Sequence, residues 1–214
     1  MTSIFGKNLL HSFWSPFSAI TVATFLLVMP DMASAKVHFS ERTKYYMVTG
    51  TNGAKVARSM LQKGPKAGAT GHAIATTLTR VRVRNLKAAI QGRRCVVKSV
   101  DVFVDLTYTF PRWVSAKKAS PSVRRAWEQF YKQVERHEFV HGRISRDFGR
   151  DLHKKLLQLS GRVSNKCADF GKRQAKRINQ MRTEYIKRQY RFDRREARAS
   201  ARVRRLQRVF LRSQ

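Results

Sequence analysis

The chain has 214 residues, with 45 Lys and Arg against 13 Asp and Glu, a formal net charge of +32. That length suggests one domain with appendages. An apolar share of 42% and an aromatic share of 10% exclude a wholly disordered polyelectrolyte, and no stretch beyond residue 35 is apolar enough to span a bilayer as a helix.

Residues 1–35 read as a secretory signal peptide. Lys7 gives a basic start, Phe17 to Met29 is an uncharged apolar run, and Ala33-Ser34-Ala35 is a small-residue cleavage site. The mature protein is then residues 36–214, placed in the periplasm or outside the cell. Two cysteines remain, Cys95 and Cys167. In an oxidising compartment such a pair reads first as a disulfide, against two free buried thiols.

Lys44 to Gly50 reads as a strand closing at a glycine. Thr51 or Asn52 can cap a short helix through Leu61, stopped by Gly64-Pro65. Ala75 to Arg84 alternates, with Val81 and Val83 on one face and Arg80, Arg82 and Arg84 on the other, as a half-buried strand requires. Cys95 to Phe110 is a second such run, ended by Pro111. Ser120-Pro121 is a cap with proline at the first helical position. An apolar stripe then runs Val123, Trp127, Phe130, Val134, His137, His141, Ile144, Phe148, Leu152, Leu156, Leu159, in helical steps of three or four. Ser160-Gly161 stops it, and Asn165 can cap a second long helix to about Gln189. The expected fold is α+β: a small antiparallel sheet of about three strands packed on long helices. Residues 197–214 form a basic C-terminal extension, helix or tail.

Residues 137–141 are His-Glu-Phe-Val-His. Two histidines four apart project from one helical face and can share a zinc ion. The glutamate between them stands beside the metal's open position, where it can take a proton from zinc-bound water. Such a site needs a third protein ligand. Asp147 and His153 fall off the metal face of an unbroken helix. An antiparallel partner helix would bring residues near 185–189 alongside the histidines, with Glu184 as the nearest acid. Glu184 can equally be a surface glutamate paired with Arg188.

The chain resembles a bacterial family known as domain of unknown function 922, described as predicted secreted zinc-dependent peptidases. The resemblance covers about residues 44–196. It rests on Tyr45-Tyr46 with Val48 and Gly50, Gly64-Pro65, Ala75-Thr76, Cys95 with its valine-rich strand, Pro111-Arg112-Trp113, Trp127, the His137-Glu138-x-x-His141 motif and Cys167. It implies a zincin-like peptidase domain over residues 36–196, one disulfide, zinc on His137 and His141, and Glu138 as the catalytic base. The family closes with Tyr-Asp-x-x-Thr-x-His-Gly. This chain has Phe192-Asp193-Arg194-Arg195-Glu196-Ala197-Arg198-Ala199, keeping the aspartate and placing Arg198 where the histidine stands. Asp193, Glu196 or Glu184 then completes the site, or the chain is a non-catalytic relative.

The charge speaks to partners rather than fold. For an exported protein the anionic partners are envelope phosphates, anionic polysaccharide or lipid headgroups, and nucleic acid is disfavoured. Two functions follow as expectations: an exported zinc metallopeptidase acting on peptide or protein substrates, or a catalytically silent zincin-like protein that binds anionic envelope material through its basic surface.

Overall fold

The computed structural model describes residues 36–67, 71–199 and 201–214; the expected signal peptide lies outside them. β1 (Val37–Val48) leads into α1 (Gly53–Lys63). A small hairpin of β2 (Lys66–Ala67) and β3 (Gly71–His72) follows. Two long strands come next, β4 (Thr76–Gln91) and β5 (Arg94–Trp113). The long helix α2 (Pro121–Leu157) is followed by the short strand β6 (Ser160–Arg162). A one-turn helix α3 (Phe170–Arg173), then α4 (Ala175–Ala199) and α5 (Ala201–Arg212), complete the chain.

The helix signals are visible at their ends. The Asn52 side chain accepts from the Lys55 amide, and the Gly64 amide closes the last turn of α1 on the Met60 carbonyl. The Ser120 hydroxyl accepts from the Val123 amide ahead of Pro121.

The main sheet has the order β1-β5-β4, with β6 also paired to β5. It is mixed rather than antiparallel. β4 and β5 form an antiparallel hairpin, but β1 runs parallel to β5, from Val37 opposite Val102 to Val48 opposite Trp113. Alternation of apolar and polar residues reports which face is buried and carries no information about direction, so the parallel pair was not readable. Both long strands exceed their expected bounds. Pro111 does not end β5, because β4 has already stopped at Thr76 opposite Thr109. The Val102 and Val114 amides donate toward β1. Residue 111 therefore faces the other way, where no ladder bond needs its missing N–H.

Val100, Val102, Val104, Leu106, Tyr108 and Phe110 of β5 turn inward against α2 and are buried. The expected helical stripe holds at both ends of α2, where Val123, Phe130, Phe148, Leu152 and Leu156 are buried. Its middle is corrected by one position: Glu138, Gly142 and Ser145 are buried toward the sheet, one residue after His137, His141 and Ile144, and Gly149 is buried beside Phe148. The helix lies close there because glycine permits it. A Cβ on Gly142 would stand 2.0 Å from the Tyr108 hydroxyl oxygen, and one on Gly149 2.5 Å from a Val104 methyl. Turning this small-residue face to the sheet turns the histidines toward α4.

The second long helix does not start at Asn165. Asn165, Lys166 and Cys167 all have positive φ, a backbone that L-residues in an α-helix do not adopt. Cys167 is bonded to Cys95 of β5, and Ser160–Arg162 pairs with the same strand, so the linker is tied to the sheet before α4 begins. The disulfide fits folding in an oxidising compartment. α5 returns to the other end of the molecule. Phe210 is fully buried, stacked on Phe130 at 4.9 Å, in a second core cluster with Val48, Val56, Met60 and Trp113.

Candidate metal centre

Four elements supply the site. One flank of α2 carries His137 and His141. The facing flank of α4 carries Gln189, Phe192, Asp193 and Glu196. The start of β4 supplies Thr77 from beneath, and α5 contributes Leu206 and Gln207 to the outer wall. Between them lies a cavity of about 490 Å³, lined by His137, Glu138, Asp193 and Glu196 beside Phe130 and Val134. The Tyr46 hydroxyl donates to the Ile74 carbonyl at 2.7 Å, holding the chain just before β4 against the cavity. Burial keeps that hydroxyl protonated far above the ordinary tyrosine range.

The two imidazoles meet at their Nε2 atoms, 3.0 Å apart. Asp193 Oδ1 is 2.9 Å from His141 Nε2 and 3.5 Å from His137 Nε2. Two ligand atoms at about 2.05 Å from a tetrahedral ion stand roughly 3.3 Å apart. The three separations bracket that value, and the donor set of two imidazoles and a carboxylate is one zinc accepts. Among the described residues, His137, His141 and Asp193 form a group whose donor atoms all lie within 4.8 Å of one another. These three residues can hold a metal ion.

Residues 43–200, three-quarters of the chain, match a family model described as "Bacterial protein of unknown function (DUF922)". The chain belongs to the DUF922 family. No curated protein and no solved structure matches it. The matched span of this DUF922 chain contains every residue of the cluster, both cysteines and all of α2.

Glu138 is the more buried member of the motif, 6% exposed against side-chain exposures of 30% for His137 and 15% for His141. The Thr77 hydroxyl is 2.7 Å from Glu138 Oε2 and 3.0 Å from the Glu138 carbonyl. A buried carboxylate needs such a donor.

Of the three acids weighed for the third position, the fold brings two to the histidines. Asp193 reaches both Nε2 atoms. Glu196 instead meets the far side of His137, its Oε2 against Nδ1, while its Oε1 accepts from Gln133. Glu184 is not at the cluster. It is exposed and bonded to Lys187 at 2.8 Å, which holds its carboxyl below the usual range. Arg188, its expected partner, reaches Asp151 instead. Arg198 is exposed on α4. The facing level on α4 is about one helical turn later than a tight turn after α2 would give, because β6 and the disulfide segment lengthen the connection.

Sequence reasoning missed Gln189 and Phe192. Gln189 Oε1 lies 2.6 Å from His141 Nδ1. Phe192 packs on both imidazoles, with ring centroids 5.0 Å away in each case. Their signal is the helical spacing Tyr185, Gln189, Phe192, Glu196, an uncharged or acidic face on a helix that carries nine Lys and Arg elsewhere.

Proposed function

We propose that this protein is an exported zinc metallopeptidase. The observation that supports the reading is the convergence of His137 Nε2, His141 Nε2 and Asp193 Oδ1 at metal-sharing distances beside a buried glutamate. His137, His141 and Asp193 would hold the ion. Zinc supplies Lewis acidity, which polarises a carbonyl oxygen and makes water a stronger acid. The chain's own residues do the rest. Thr77 holds Glu138 by Oε2, leaving Oε1 as the oxygen that takes a proton as general base and returns it to the departing amine. Phe130 and Val134 give the cavity an apolar wall beside that carboxylate, which seats a substrate side chain and thins the water around the base.

Glu138→Gln keeps the side chain's size and its contact with Thr77 but removes the base. Purified full chain loaded with zinc should cleave an unfolded protein such as casein, and the variant should bind zinc equally while losing activity about 10²–10⁴-fold. Undiminished cleavage by Glu138→Gln would remove Glu138 from the mechanism.

A second reading, attachment to anionic envelope material, is favoured by the outward face of α4. Lys187, Arg191 and Arg194 surround Tyr190, which is 64% exposed. Attachment through such a face is screened by salt, with a Debye length of about 10 Å at 0.1 M. A Lys187→Glu, Arg191→Glu, Arg194→Glu variant should bind anionic polysaccharide more weakly than wild type, and both should release it as salt rises. Retention indifferent to salt and to these charges would exclude this reading.

A further inference from the structure

We propose that Gln189 and Glu196 are positioning residues: each accepts the Nδ1 proton of one histidine and so commits both Nε2 lone pairs to a shared cation. The inference rests on the metal-site reading above and assigns roles to two residues that reading leaves idle.

A neutral imidazole carries one N–H and one lone pair, and the partner of one nitrogen decides the other. At His137 the partner of Nδ1 is the Glu196 carboxylate. An ionised carboxylate only accepts, so Nδ1 must donate and Nε2 is left with its lone pair. At His141 the same conclusion needs one more step, because an amide can present either end. The Gln189 nitrogen lies 3.3 Å from the His141 carbonyl, 3.1 Å from Ser145 Oγ and 2.9 Å from the Tyr185 hydroxyl. A backbone carbonyl can only accept, so the NH₂ end belongs there and Oε1 must face the ring. His141 Nδ1 therefore donates, at 2.6 Å.

The arrangement extends into the fold. Ser145 Oγ is 2.8 Å from Thr79 Oγ1 of β4 and 2.9 Å from the Tyr185 hydroxyl. Thr79, Ser145, Tyr185 and Gln189 thus form one half-buried polar chain from the sheet to His141, with Ser145 at its centre fully buried. Its outcome is three electron-rich atoms, two Nε2 and Asp193 Oδ1, facing one another across 2.9–3.5 Å. Such a group repels itself unless a cation sits among it. Acceptors behind metal-ligating histidines orient the ring and raise its basicity, and losing one weakens metal affinity 10–100-fold.

The test is zinc affinity of the full chain, measured by competition with a chromophoric chelator, with cobalt(II) substituted in parallel to read the ligand set by its visible absorption. Gln189→Leu and Glu196→Leu should each weaken zinc binding about 10–100-fold while keeping the wild-type cobalt band. Gln189→Glu and Glu196→Gln, which retain an acceptor, should restore most of the affinity. That rescue separates positioning from a general loss of fold. Wild type binding zinc with both Leu variants equally tight would overturn this inference and leave the metal centre standing. A cobalt band altered in Glu196→Leu would make Glu196 a ligand instead. A wild type that binds no zinc would overturn both this inference and the reading beneath it.

Discussion

At the residue scale, the motif His137-Glu138-x-x-His141 was legible because a helix converts a spacing of four into a shared face, whatever the rest of the fold does. Its completion was not. Which of Asp193, Glu196 and Glu184 meets the histidines depends on the axial register of α4, set by a linker whose cysteine was readable but whose pairing of Ser160–Arg162 with β5 leaves no local signature in sequence. Charge placement elsewhere follows similar rules. Asp101 accepts from the Asn85 side chain at 2.7 Å and from the Lys36 amide at 3.2 Å, and those bonds hold its carboxyl below the ordinary range. Its folded-state pKa is therefore the depressed one. The stabilisation is present above the unfolded value of about 3.9 and is lost as pH falls through the folded one. Thermal unfolding of wild type and Asp101→Asn should differ at neutral pH and converge in acid; a constant difference across that range would contradict the assignment.

At the scale of elements, the boundary signals of the first two helices held, while Pro111 did not end β5 and Asn165 did not cap α4. Asn52, Gly64 and Ser120-Pro121 bound their helices as read. Strand direction and strand length were not dependable, since Val81 and Val83 alternate in the same way against a parallel or an antiparallel neighbour. The middle of α2 is the clearest case of packing overriding pattern. An apolar stripe through His141 and Ile144 was visible, but the surface that meets the sheet there is Gly142, Ser145 and Gly149, chosen for smallness rather than hydrophobicity. Close packing tolerates little added volume there. Gly142→Val should drive a side chain into Tyr108 and destabilise by about 1–3 kcal/mol, read as a lowered midpoint in urea. An unchanged midpoint would mean that α2 can lift from the sheet freely.

At the scale of the whole molecule, two cores are joined through α2, and the metal cluster sits between them. One core lies under the Cys95–Cys167 disulfide and Phe170, the other around Trp113, Phe130 and Phe210. The C-terminal segment, read from sequence as a basic helix or tail, is a docked helix that buries Phe210 in the second core. The architecture holds α4 and α5 against α2 from both ends, so His137, His141 and Asp193 are brought together by the fold as a whole. The most direct measurement is zinc content of the folded chain with its disulfide intact, for wild type and for the His137→Ala, His141→Ala double variant. About one zinc per wild-type chain and none in the variant is the result expected here. A wild type that folds, is offered zinc and retains none would contradict the central claim.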